Sequence, residues 1–262
     1  MTNRTLRRLV PAQTLGLLVA LCLAGAVPAA SSAIAAGPIA SRPRVASRAI
    51  SSAGWASSNW SGYAISGSGY TSITGSWVVP SVTSSKKPTY SSSWIGIDGF
   101  NNSNLIQTGT EHDYYSGRAH YNAWWEILPA AETPIGSITV SPGDHMTASI
   151  TKGAGSSWTI SITDATTGGT FSTTQTYSGP QTSAEWIQEA PTVGGHTATL
   201  AHYSLTTFDP GTVNGGNPSL TASEGGVMIQ QGRQVSTPSA PDGDTDGFNM
   251  AYGSAAPSPP AS

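Results

Sequence analysis

The run Ser183-Ala184-Glu185-Trp186-Ile187-Gln188-Glu189 sets two carboxyl groups around a tryptophan, and Leu105-Ile106-Gln107-Thr108-Gly109 holds a neutral amide among apolar residues. A carboxyl in an aromatic-rich strand can act as general base or acid, and an amide beside it can donate hydrogen bonds to a developing oxyanion. Glu185 and Glu189 are four apart, so in a regular strand both lie on the face opposite Trp186. An aromatic wall raises a carboxyl pKa by desolvation, and a second carboxylate raises it further. Glu126, which closes Trp124-Trp125-Glu126, is a third candidate of this kind. These residue types point to hydrolysis in acid. Ordinary roles compete with that reading, because a strand glutamate is usually solvated or paired with a surface cation, and Gln107 alone reads as a strand residue before a turn at Gly109.

Other chemistries find less support. No Gly-x-Ser-x-Gly elbow is present, and His112, His120, His145, His196 and His202 show no His-Glu-x-x-His spacing, so each reads as a surface or turn residue. Asp242-Gly243-Asp244-Thr245-Asp246-Gly247 looks like a calcium loop, but the bidentate glutamate of an EF-hand is missing six residues beyond it, and a solvated acidic turn is the plainer reading. The sole cysteine, Cys22, sits in an apolar leader, which leaves no thiol nucleophile, disulfide or thiolate metal site downstream. No metal and no cofactor are expected.

The elements that must position these groups lie between two distinctive ends. Residues 1–36 read as an export signal: Arg4, Arg7 and Arg8, an apolar run from Leu15 to Val27, then small-residue exits. That run is shorter than the roughly 20 residues a membrane span needs. Residues 37–52 carry Arg42, Arg44 and Arg48 among Ala, Ser and Pro and suit a propeptide or linker. Residues 53–254 form one domain, and 255–262 are expected to be a disordered tail. The expected product is a secreted monomer, free of the membrane once the signal is removed.

All 14 acidic residues fall at or after Asp98, and only five of the 11 basic ones follow Ala53, so the domain carries 5 minus 14, or −9. A nucleic-acid partner is therefore disfavoured. Few ionisable groups on a Ser/Thr/Gly-rich surface also limit charge build-up when carboxylates protonate.

Short β-branched and aromatic runs recur, among them 70–79, 91–97, 119–128, 137–140, 145–151, 158–164, 169–177, 184–188, 199–207 and 226–230. Met146-Thr147-Ala148-Ser149-Ile150 and Trp158-Thr159-Ile160-Ser161-Ile162 alternate with the period of a half-buried strand. Ser141-Pro142-Gly143-Asp144, Thr167-Gly168-Gly169 and Asp209-Pro210-Gly211 read as turns. The sum is an all-β sandwich of two antiparallel sheets, jelly-roll-like.

Six motifs occur in one order: Asn59-Trp60-Ser61-Gly62-Tyr63, Gly75-Ser76-Trp77-Val78-Val79-Pro80, Trp94-Ile95-Gly96-Ile97-Asp98-Gly99, Ile106-Gln107-Thr108-Gly109, Ala123-Trp124-Trp125-Glu126 and Ala184-Glu185-Trp186-Ile187. In this the chain resembles the glutamic peptidases, or eqolisins, from about Asn59 to Tyr203. The resemblance implies a secreted endopeptidase active in acid on protein or peptide substrates, with a lectin-like sandwich and a glutamine and glutamate dyad. By motif the dyad is Gln107 and Glu185. Glu185 would take a proton from water and later protonate the leaving amine, while Gln107 holds the oxyanion. Trp94 and Asp98 match cleft-floor or dyad-bonding positions, and Trp124, Glu126 and Glu189 match positions that supply walls and nearby carboxyls. Asn122 departs from the aspartate common before the Ala-Trp pair in fungal members, and the missing cysteines depart from disulfide-bearing ones. Two other readings use the same kind of fold: a carbohydrate-binding lectin-like module with tryptophan platforms, and a glycosidase using Glu126 and Glu185.

Overall fold

Trp158, Ile160 and Ile162 are buried while the Ser and Thr residues between them face outward, so Ser157–Asp164 forms a strand with one face in the core. It pairs antiparallel with His145–Lys152, Ile160 opposite Ile150, which brings two apolar rows onto one side. The computed structural model in which these elements are seen describes residues 39–47 and 54–262. The export signal expected over 1–36 lies outside the described residues, as do 37, 38 and 48–53. No helix among the described residues is long and apolar enough to cross a membrane.

Backbone pairing runs unbroken through 15 strands. One half of the ladder contains Thr170–Thr176, Ser157–Asp164, His145–Lys152, Ser72–Val78, Thr206–Val213 and Phe248–Tyr252. Arg233–Pro238 and Gly225–Gln230 lead into the other half: Trp60–Ser66, Ser183–Glu189, Ser92–Ile97, Ile106–Tyr115, Arg118–Ile127 and Thr133–Pro134. Among the described strands of this ladder every strand pairing is antiparallel except that of Trp55–Ser57 with Gly225–Gln230. The two halves pack face to face. Trp77 donates its Nε1 to Thr110 Oγ1 at 2.9 Å across the interface, and Gly75 gives room for Ile95 and the Trp186 ring. Ile73, Ile95, Met146, Ile150, Trp186, Phe208 and Phe248 belong to this core. The all-β sandwich matches the sequence reading, though its two layers share one hydrogen-bonded ladder.

Several local expectations are corrected. Residues 137–140 form no strand, and most of 199–207 is irregular, the strand beginning at Thr206. Asp209-Pro210-Gly211 lies inside that strand, where the register slips between Phe208 and Gly211, so its turn chemistry serves a bulge. Gly109 is likewise in mid-strand. A Cβ there would lie 2.3 Å from Ser93 O and 2.4 Å from Trp94 Cβ, so glycine lets the Trp94 backbone approach. Residues 255–262 have no helix or strand, yet Ser258 O accepts from Asn249 Nδ2 at 2.9 Å and Ser262 Oγ from Gly243 N at 2.9 Å.

The second half of the ladder is covered on both faces. All seven residues of Ser183–Glu189 are buried. On the face away from the sandwich core, Trp60, Trp94, Leu105, Trp124 and Ile187 form a second apolar cluster, and that face carries the carboxyl groups.

Candidate active site

Antiparallel register sets Glu185, Gly96, Gln107 and Glu126 in one row across four neighbouring strands. The two-residue period then puts Glu189 on the same face as Glu185, as expected. Trp186 points the other way and donates its Nε1 to Thr74 O at 2.8 Å.

Gly96 separates Glu185 from Gln107 and has no side chain to keep them apart. Its neighbours do so instead. A Cβ on Gly96 would lie 2.9 Å from the Trp94 ring and 3.0 Å from Leu105 Cδ1, so those side chains fill the gap. Glu185 is fully buried and neither of its carboxyl oxygens has a hydrogen-bond partner. Burial pushes its pKa well up, the neighbouring Ser183 hydroxyl opposes this, and the Asp98 charge adds to it. No hydrogen bond joins Gln107 to Glu185, the dyad drawn from the sequence.

Gln107 meets a different carboxyl. Its Nε2 donates to Glu126 Oε2 at 2.6 Å, directly across the strand pair. The same oxygen accepts the Ser41 backbone N–H at 3.2 Å. The next N–H, of Arg42, reaches Glu189 Oε1 at 3.3 Å, and Trp94 Nε1 donates to Glu189 Oε2 at 2.8 Å. Gln107, Glu126, Glu189 and Trp94 thus surround one short stretch of main chain. Burial pushes Glu189 up to about 7, against the donors Ser41, Arg42 and Trp94. Burial and the Glu189 charge push Glu126 up to about 8, against the bonds from Gln107 and Ser41.

That stretch is 39–47, which the sequence reading places in a propeptide or linker. Ile39–Ala40 pairs with Thr192–Val193. Asn59 fixes the middle: its Oδ1 accepts Val45 N at 2.8 Å, and its Nδ2 donates to Arg42 O and Pro43 O at 3.4 Å each. The Arg44 guanidinium lies 4.2 Å over the Phe100 ring. A cavity of about 450 Å³ opens beside the segment, lined by Ser41, Arg42, Leu128, Pro129, Ala131 and Thr192 among others.

The remaining expected residues are placed as follows. Trp124 belongs to the apolar wall beside Trp94. Asp98 makes no contact with Gln107; it accepts from Gln181 N and Thr182 N at 2.9 Å each and from Tyr177 OH at 2.6 Å, tying down the 177–182 connection. Sequence reasoning passed over Glu111, Glu132 and Asp113. Burial, and then the charge of the neighbouring Glu111, push Glu132 up to about 11. Asp113 is raised well above its usual range by burial and by Glu111. Glu111 and Asp113 share the two-residue period of Gln107 along Ile106–Tyr115, a signal available only once Gly109 is read as mid-strand. His112, read from sequence as a surface or turn residue, is buried, its Nε2 lies 2.8 Å from Thr110 Oγ1, and burial lowers its pKa to about 3.

Residues 58–251 match the Peptidase A4 family. The chain belongs to that family. It is 32% identical to aspergillopepsin-2 of Aspergillus niger over 212 residues, 71% of this chain and 74% of that one. It is also 31% identical over 133 residues to scytalidopepsin B of Scytalidium lignicola, covering 49% of this chain and 50% of that one. The structure of scytalido-glutamic peptidase with a transition state analog inhibitor superposes with a TM-score of 0.64 at 26% identity, covering 74% of this chain and 98% of that one. That of aspergilloglutamic peptidase from Aspergillus niger gives 0.53 at 25% identity, covering 63% and 99%. This A4 peptidase is accordingly a peptide-bond hydrolase of the glutamic type.

Proposed function

We propose that this peptidase is secreted as a monomer, works in acid on protein chains, and uses Gln107 with Glu189 as its working pair, Glu126 holding the amide. The observation that carries the reading is the main chain of Ser41 and Arg42 lying across Glu126 and Glu189 beside Gln107. A substrate backbone would run where that segment runs.

In this reading Glu189 takes a proton from a water, which attacks the scissile carbonyl. One N–H of Gln107 is committed to Glu126; the other is free, among the described residues, to bond the oxyanion. Glu189 then protonates the leaving amine. Trp94 orients the carboxylate throughout. Glu189 titrates near 7 while 39–47 covers it. Removing the segment readmits water, shrinks the burial penalty and leaves the Trp94 bond, so the carboxyl ionises lower, as a base working in acid requires. Residues 37–52 are then an inhibitory propeptide, and the leader 1–36 directs export.

Cleavage of a denatured protein at about pH 3 to 4, read by mass spectrometry, tests this through two variants. Glu189→Ala is expected to lose activity by at least about a thousandfold, while Glu185→Gln stays within about tenfold of the parent. The reverse ranking would return the role to Glu185.

A further inference from the structure

Asp209, Asp242 and Asp246 each turn a carboxylate oxygen to the same point, all within 4.8 Å of one another, and none belongs to the cluster around Gln107. Two segments supply them. Asp209 sits at the register slip of Thr206–Val213, where a bulge re-aims side chains, and the other two come from the acidic loop read from sequence as a solvated turn. Asp242 is only 6% exposed. Its Oδ1 is committed to the N–H groups of Asp246 and Gly247 at 3.2 Å each, while its Oδ2 is buried and has no hydrogen-bond donor. Asp246 Oδ1 is buried without a donor too. A Cβ on Gly247 would lie 2.5 Å from Asp242 Oδ2 and 2.7 Å from Asp209 Cγ, so the two carboxyl groups converge over a glycine that alone leaves them room.

A buried carboxylate oxygen with no donor is costly unless a cation or a proton meets it. Among the described residues the charged groups that act on Asp209 and Asp246 are other members of the loop and each other, all acidic, and none is basic. The loop is nonetheless held in place. Asp242 N donates to Gly247 O at 3.0 Å, Gly211 N to Asp246 O at 2.9 Å, and Asn217 Nδ2 to Asp244 O at 2.7 Å.

We propose that Asp209, Asp242 and Asp246 bind a hard divalent cation of the calcium class, which cross-links the Thr206–Val213 strand to the loop before Phe248–Tyr252. Calcium takes six to eight oxygens at flexible geometry, about 2.3–2.6 Å away, and completes its shell with water. The glutamate missing from an EF-hand reading is replaced by Asp209, about 30 residues earlier in the chain and adjacent only after folding. The cation is structural, separate from the peptidase chemistry.

The test uses the full chain at pH 6.5, stripped with chelator and desalted. Calcium chloride at 1 mM is expected to raise the melting temperature by about 3 °C or more, beyond the effect of magnesium chloride or of sodium chloride at equal ionic strength. Terbium should bind the same point and be sensitised by Trp186, whose indole lies beside Gly211 and the Asp246 carbonyl, and calcium should quench the signal by displacement. Asp209→Asn and Asp246→Asn should each weaken terbium binding at least tenfold and remove the calcium-specific shift. Both should fold without metal at least as well as the parent, because each removes one charge from a repelling group. Equal shifts from all three salts, no terbium signal, or a calcium response unchanged in both variants would overturn the site.

Discussion

Gln107 and Glu126 face each other across one strand pair, the glutamine Nε2 donating to the glutamate Oε2 at 2.6 Å. The bond spends one amide N–H to fix the direction of the other. Gln107→Ala is therefore expected to lower kcat by about a hundred- to a thousandfold, the cost of one oxyanion donor, with KM little changed. A loss confined to KM would show that Gln107 binds substrate and nothing more.

In the proposed mechanism Glu126 acts through Gln107. Glu126→Gln keeps an acceptor oxygen and is expected to cost about tenfold in kcat, whereas Glu126→Ala releases the amide and should approach the loss seen in Gln107→Ala. Steady-state kinetics on the three variants and the double variant Gln107→Ala/Glu126→Ala checks the chain of action. Additive losses in the double variant would separate the two residues.

Asn59 clamps the covering segment through Val45, Arg42 and Pro43. Asn59→Ala removes about 2 kcal/mol of buried hydrogen bonding to that segment. The expected result is a shorter lag before activity when the purified full chain is acidified. A synthetic peptide of residues 39–47 should inhibit the processed form, and failure to inhibit at millimolar concentration would exclude the segment as an occupant of the working cleft.

The buried carboxyls set the pH dependence of stability. Burial holds Glu126 at about 8 against an ordinary 4.5, and Glu189 at about 7, so the folded full chain binds protons more tightly than the unfolded one. Their contribution is fully present below about 4.5 and is lost as pH rises through about 7 to 8. The full chain should melt at higher temperature at pH 4 than at pH 8, and Glu126→Gln should flatten the difference. Calorimetry showing greater stability at pH 8 would contradict the assignment of these groups as raised.

Gly109 tests the corrected strand. Because a Cβ would sit 2.3 Å from Ser93 O, Gly109→Ala is expected to destabilise by about 3 kcal/mol, measured by denaturant unfolding. A turn glycine open to solvent would show far less.

The chain order of residues was enough to determine the period-two strands, the all-β class, the absence of any cysteine after Cys22 and the peptidase resemblance. These depend on local alternation and on ordered motifs, both written in one dimension. Even the common face of Glu185 and Glu189 follows from their spacing of four.

Which glutamate meets the amide does not follow from spacing. Register made Glu185 the row-mate of Gln107, yet Leu105 and Trp94 occupy the gap over Gly96. Glu189 instead lies beside Glu126 under the main chain of Ser41 and Arg42. Asp209 joins Asp242 and Asp246 in the same manner, from a strand that sequence reading took for a turn. Side-chain volume and long-range register settle such contacts. Both are set by what packs from distant parts of the chain, and only the folded structure holds that information.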